Sequence, residues 1–247
     1  MFIETAPTPE KRLTIQGTFR FDCHQGLPCF NTCCRNKHLP LTPYDVLRLR
    51  RNLNLHSDVF LDRYTLYRTD PQSGFPVVLL RMSDGADGRC PFLGVDGCKV
   101  YADRPTACRL YPLCRVSGYA SGNGRLEAFF YMLDAPQCLG RQEDRIWTVG
   151  TWHTGQGLDP YSAMNDRMLE LIFHPRRASG KGLDERQLQK VLVACYNLDI
   201  FREFVFSTGF LDRFEVPVNI RECIAEQDTA LLDLGLAFLR KTLFPPD

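Results

Sequence analysis

Thiols are the residues of this chain that could do chemistry. Eleven cysteines occur in 247 residues, nine of them before residue 140, and most fall in two dense blocks. The first block reads Cys23-His-Gln-Gly-Leu-Pro-Cys29-Phe-Asn-Thr-Cys33-Cys34. The second is Cys90-Pro-Phe-Leu-Gly-Val-Asp-Gly-Cys98, followed by Cys108 in Tyr101-Ala-Asp-Arg-Pro-Thr-Ala-Cys108-Arg-Leu-Tyr-Pro, with Cys114 and Cys138 behind. Thiolates are soft ligands suited to zinc and to iron–sulfur clusters. Structural zinc usually takes cysteines about two to four residues apart. Here the intervening stretches are five, three and zero residues, then seven, nine and five, so only one gap has a zinc spacing. No ferredoxin run fits either. Adjacent side chains such as Cys33 and Cys34 are expected to diverge, which suits a polynuclear centre or two centres side by side better than one small ion. Iron–sulfur is therefore the first expectation and zinc the second. Incidental buried thiols and a disulfide scaffold are the competing readings, and the latter needs an oxidising compartment.

The elements around these thiols must aim them. Gly and Pro in the first block favour tight loops, and Asp96-Gly97 is a turn that brings Cys98 back towards Cys90. Arg104-Pro105 starts a short helix that Pro112 ends, which places Cys108 in its first turns, where the helix dipole and Arg109 favour a thiolate. His24 and His38 flank the first block and read as solvated loop residues ahead of ligands. Cys114 is balanced between ligand and strand packing, whereas Cys195 and Cys223 lie on apolar helix faces and read as packing residues. His153, in the glycine-rich stretch 150–157, lacks a preceding phosphate-binding strand and reads as part of a turn. Arg48, Arg50 and Arg51 read as a solvated helix face.

Stepping outward, Leu13–Phe21 alternates like a strand leading into Cys23. Thr42-Pro43 opens a helix through Val46, Leu47 and Leu53, and Ser57 is expected to cap another through Phe60 and Leu61. Phe75–Met82 suits a buried strand. Ser121-Gly122-Asn123-Gly124 predicts a hairpin between Leu113–Tyr119 and Arg125–Leu133. Helices follow: one opened by Asp159-Pro160, one carrying the stripe Leu188, Val191, Leu192, Cys195, Leu198 and Val205, and one carrying Ile220, Cys223, Ile224, Leu231, Leu234 and Phe238. The segment Ala178–Gly182 is the expected flexible junction. The fold class is α+β, with an irregular cysteine-rich N-terminal part of short strands and helices and a helical C-terminal part. As domains, this reads as a cysteine-cluster metal-binding domain over 1–140 and a helical region over 141–247 packed against it.

Composition bounds the partners. Thirty basic and 29 acidic side chains give a net charge of +1, which argues against coating nucleic acid or an anionic membrane. The front half carries a surplus of four positive charges and the rear a deficit of three; thiolates on a metal would offset the former. Residues 1–22 lack the apolar stretch of a secretory signal, and Asp233 interrupts the best apolar run, Leu231–Leu239. The expected location is therefore the cytoplasm, whose reducing conditions favour ligand cysteines over disulfides.

The first block, Cys-Pro-Phe-Leu with a later Gly-Cys, then Tyr-x-x-Arg-Pro-x-x-Cys-Arg and a following Pro, together resemble the YkgJ-like cysteine-cluster proteins. These are the CxxCxxCC-type family described as zinc- or iron-chelating domains, most of whose members have no assigned activity. The resemblance spans roughly residues 20–140. It implies metal ligation by Cys23, Cys29, Cys33, Cys34, Cys90, Cys98, Cys108 and Cys138. The chain departs from the family in its first gap, five residues where two are usual, and in having Leu139-Gly140 after Cys138 where a Pro-Gly pair is usual. Flagellin lysine methylases share part of the same domain, which adds a metal-dependent protein-modifying enzyme as an alternative. The function expected is a metal-binding protein holding an iron–sulfur cluster or zinc through clustered thiolates, in a structural, redox or chelating role. Eight ligands suffice for two four-coordinate centres or for one cluster with spares, and closing them would contribute to folding.

Overall fold

The computed structural model describes residues 12–119, 126–176 and 182–245. Its strands are short and lie before residue 150: β1 (Thr18–Arg20), β2 (Pro40–Leu41), β3 (Thr65–Thr69), β4 (Pro76–Leu80), β5 (Leu113–Tyr119), β6 (Leu126–Met132) and β7 (Ile146–Thr148). Among them lie helices α1 (Pro43–Asn52), α2 (Ser57–Tyr64) and α3 (Thr106–Leu110). The remainder is helical: α4 (Val149–Gly155), α5 (Asp159–Ile172), α6 (Glu185–Val191), α7 (Leu198–Ser207), α8 (Phe210–Arg213), α9 (Val218–Glu226) and α10 (Asp228–Leu243), with a π-helical turn at Leu192–Tyr196. The fold is α+β. The chain forms two compact units, residues 1–40 with 82–163 and residues 41–81 with 164–247.

The first unit is held by two antiparallel ribbons and an aromatic core. Strands β1 and β7 pair with Phe19 opposite Trp147, and β5 pairs with β6 along their whole length. The expected strand over 13–21 is shorter. A turn in which the Gly17 N–H donates to the Thr14 carbonyl breaks it, leaving Leu13 as an isolated bridge to Phe130. The hairpin strands fall where expected, while the turn 121–124 lies outside the described residues. Phe19, Phe21 and Trp147 meet Trp152 edge-on at 5.2–5.9 Å between ring centroids. The Trp152 indole N–H donates to the Leu110 carbonyl at 3.2 Å. Trp152 can do this because 149–155 is a helix, capped by reciprocal Thr148–Thr151 hydrogen bonds. His153 therefore lies in α4 instead of in a turn, and its ring nitrogens engage Asp159 at 3.0 Å and Ser162 at 2.9 Å.

The second unit contains the sheet β2–β4–β3 and the helical core. Thr42 caps α1 as expected, in a capping box with Asp45. Strand β4 alternates buried and half-buried residues. Ser57 differs from its expected role: it is the first residue of α2, and its hydroxyl donates to Asn197 at 2.7 Å and accepts from the Asp199 N–H at 2.9 Å. Arg50 also departs from the solvated face assigned to it. Its guanidinium is buried in ion pairs with Asp228 and Asp199, and Arg202 shares Asp228. A basic residue on a helix can turn inward when carboxylates wait there. Each long apolar stripe is divided. The first changes to π-helical pitch at Leu192–Tyr196, and the second breaks at Gln227, whose backbone is extended. Gly235 lets α10 approach the π turn; a Cβ there would stand 2.3 Å from the Ala194 carbonyl oxygen. Cys195 is wholly buried in this core, and Cys223 is half-buried.

Candidate metal centre

All eight candidate ligands lie in the first unit, and all 11 cysteines of the chain are free thiols. Two sets of hydrogen bonds bring together the segments that carry Cys23, Cys29 and Cys138, and those that carry Cys34 and Cys90. In the first, the end of β1 is zipped to the segment after Cys138. The Phe21 N–H donates to the Arg145 carbonyl and the Asp22 N–H to the Gly140 carbonyl, each at 2.9 Å. The Leu139 N–H donates to Cys29 Sγ at 3.3 Å. This closeness needs Gly140, because a Cβ there would stand 2.3 Å from the Asp22 carbonyl oxygen. Tyr111 joins the group through a hydrogen bond between its hydroxyl and the Cys138 thiol, its ring edge-on to Phe21 at 5.9 Å. Burial, followed by the nearby Cys33, Cys138 and Cys29 sulfurs, pushes the Cys23 thiol up to about 11.

The second set joins the two cysteine blocks. The Cys90 N–H donates to the Cys34 carbonyl at 2.9 Å, and the Asn36 N–H to the Gly88 carbonyl at 2.8 Å. Beyond Cys90 the loop closes as the Asp96-Gly97 turn predicts: Gly94 and Gly97 are hydrogen-bonded at 2.7 Å, and Leu93 bridges Cys98. Gly97 has φ 123°, where an L side chain is strained. A short 3₁₀ turn, Tyr101–Asp103, leads to Arg104, whose guanidinium lies 3.9 Å above the Tyr101 ring and within electrostatic reach of Cys108 and Cys98. Burial pushes both Cys90 and Cys98 up.

Cys33 and Cys34 close a 3₁₀ turn (Thr32–Cys34) entered through the left-handed residue Asn31. They do not diverge as the adjacency rule predicts, because the Cys34 thiol donates to the Cys33 sulfur. That bond, with Lys37 nearby, draws Cys33 down to about 7 and pushes Cys34 up. Cys33 stands within reach of Cys23, and Cys34 within reach of Cys90 and Cys108. Among the described residues, no three His, Cys, Asp or Glu side chains are placed so that they could together hold a metal ion. What the fold supplies is cysteine-bearing segments hydrogen-bonded to one another, and thiols are donors whose chemistry fits zinc or iron.

Residues 22–138 match the CxxCxxCC family model, described as "Putative zinc- or iron-chelating domain". The match covers 117 of the 247 residues, and it is to this family that the cysteine-rich stretch is similar. No curated protein and no solved structure matches the chain. The matched residues contain all eight proposed ligands and Cys114. Cys114 is buried within the hairpin opposite Tyr131. Of the histidines beside the first block, His24 Nδ1 accepts from the Gly26 N–H at 3.2 Å, and His38 is exposed.

Arg109 has a bracing role beside the one expected. Its guanidinium is buried under Tyr161 and donates to the carbonyls of Arg104, Gln156 and Ala102. It braces the backbone that carries Cys108, and Arg104 is a cation within electrostatic reach of that thiol. Arg104 and Tyr111 are the contributors that spacing arguments passed over. Both sit inside Tyr101-Ala-Asp-Arg-Pro-Thr-Ala-Cys108-Arg-Leu-Tyr-Pro, so the signal was present as a motif without an assigned task. Among the described residues, no helix is long and apolar enough to cross a membrane.

Proposed function

We propose that this protein holds zinc or an iron–sulfur cluster through the thiolates of Cys23, Cys29, Cys33, Cys34, Cys90, Cys98, Cys108 and Cys138. The observation that carries the reading is the Cys90–Cys34 backbone hydrogen bond together with the Leu139 N–H on Cys29 Sγ. Through these contacts, cysteines from three distant parts of the chain meet in one unit as free thiols. Core cysteines do not gather in this way among turn residues. A disulfide scaffold would pair these sulfurs covalently, and all eight are free cysteines.

Bound metal would supply a cross-link between loops and, as an iron–sulfur cluster, a one-electron redox centre. The chain's own residues prepare for it. Arg104, Arg89 and Lys37 sit where they offset thiolate charge, and the Tyr111 hydroxyl can hydrogen-bond to the Cys138 sulfur. Iron–sulfur is the preferred occupant, in a structural, redox or chelating role in the cytoplasm. No observation favours the protein-modifying alternative over this one.

Elemental analysis of anaerobically purified full-length protein tests the proposal. Iron with inorganic sulfide, in a brown protein whose visible absorption bleaches with dithionite, supports the first choice. Zinc in a colourless protein supports the second. Protein that carries neither metal and takes up neither on reconstitution defeats the proposal.

A further inference from the structure

The eight thiols do not form one undivided group. Segment 21–29 is hydrogen-bonded to segment 138–145, whereas segment 34–36 is hydrogen-bonded to segment 88–90, from which the closed loop 90–98 and then Cys108 follow. The first pairing gathers Cys23, Cys29 and Cys138, and Cys33 lies on their side. The second gathers Cys34, Cys90, Cys98 and Cys108. The two groups are joined at the 3₁₀ turn that holds Cys33 and Cys34, whose thiols are hydrogen-bonded, and Tyr111, one turn after Cys108, reaches Cys138 in the first group.

Each group has its own supporting residues. Tyr111 and the close approach at Gly140 serve the first, and Arg104 and Arg89 serve the second. Four thiolates complete the coordination of one zinc ion or anchor one cubane cluster, so two groups of four are two complete sets.

We infer that the protein has two separate four-thiolate metal centres, one built by Cys23, Cys29, Cys33 and Cys138 and the other by Cys34, Cys90, Cys98 and Cys108, with the adjacent cysteines assigned to different centres. The inference rests on the metal-binding reading above and adds to it a stoichiometry and a ligand assignment.

The test uses the metal-free full chain and zinc(II) as the probe. Zinc is added in steps, accessible thiols are alkylated, and intact masses and peptide maps are read. The expected result is saturation at two zinc ions per chain. The alkylated-thiol number should fall in steps of four, and the protected peptides should follow the two groups. As a second reading, Cys29→Ser and Cys138→Ser should each lose one of the two equivalents while leaving Cys34, Cys90, Cys98 and Cys108 protected. Cys90→Ser and Cys98→Ser should do the converse. A single saturating step that protects all eight thiols, or protected sets that mix the groups, overturns the two-centre assignment and leaves metal binding standing. A chain that protects no thiol at any zinc concentration overturns both centres as zinc sites and, if it also takes up no iron on reconstitution, metal binding itself. The wild-type protection pattern decides between these outcomes even if a variant fails to fold.

Discussion

Replacing Gly140 with alanine perturbs one centre through sterics alone. The new Cβ would stand 2.3 Å from the Asp22 carbonyl oxygen and 3.1 Å from the Phe21 ring. An ordinary carbon–oxygen contact is about 3.3 Å, so the two segments must part by about 1 Å. The neighbour on one side is backbone, held by the Asp22 N–H to Gly140 carbonyl hydrogen bond, and cannot swing aside as a flexible side chain would. Overpacking of this kind costs about 1–3 kcal/mol. That strain is carried by the metal-closed arrangement and relieved when the segments separate. Zinc affinity at the Cys23, Cys29, Cys33 and Cys138 centre should therefore fall by roughly 5- to 150-fold, at tenfold per about 1.4 kcal/mol. The other centre, whose backbone contacts involve residues 34–36 and 88–98, should keep its affinity. Competition against a chromophoric chelator, read as two separate binding constants, measures both. Unchanged affinity at both centres, or an equal drop at both, would refute the claim that the Gly140 approach positions one set of thiols.

Three further expectations follow from other parts of the molecule. Asp228→Ala removes the carboxylate shared by Arg50 and Arg202, whose side chains are 10% and 25% exposed. Stranding buried charge costs about 3 kcal/mol or more, so the urea midpoint should drop while metal content per folded chain is unchanged. Because burial holds Cys23, Cys90 and Cys98 above the ordinary thiol value, they are protonated at neutral pH in the metal-free protein. Metal must displace those protons, so apparent zinc affinity should fall as pH is lowered from about 8 to about 6, with proton release measurable by calorimetry in buffers of different ionisation enthalpy. A pH-independent affinity would contradict thiolate ligation. Finally, Cys33→Ala and Cys108→Ala should each lower metal content, whereas Cys195→Ala, at a wholly buried site in the other unit, should leave it unchanged; equal losses in all three would remove the distinction between ligand and packing cysteines.

Local signals carried far in this chain where one residue's chemistry decides the geometry. Thr42 before Pro43 capped a helix, Asp96-Gly97 turned a loop, and the hairpin strands around residue 120 paired as their spacing required. Family resemblance located the cysteine domain, and residues 22–138 match it. What the sequence concealed was the direction in which polar side chains point. Arg50 looks like a surface residue until the carboxylate that receives it, 178 positions away, is known, and Arg109 donates to a carbonyl 47 positions away that its motif does not announce. Cys33 and Cys34 defied the rule for neighbours because a tight 3₁₀ turn, entered through a left-handed asparagine, brings successive sulfurs within hydrogen-bonding reach. Pitch changes were hidden too. A π turn and an extended glutamine both leave an apolar stripe nearly continuous on paper.

Neither compact unit is a continuous stretch of chain, since each is assembled from two separated pieces. On the ribosome, where polypeptide emerges at about 5–20 residues per second, Cys23 to Cys34 must wait for more than a hundred later residues before Cys138 arrives. During that interval, which lasts several seconds, the early sulfurs are exposed to oxidants and stray ions. Translation speed and the supply of metal to the nascent chain thus bear directly on the yield of correctly loaded protein.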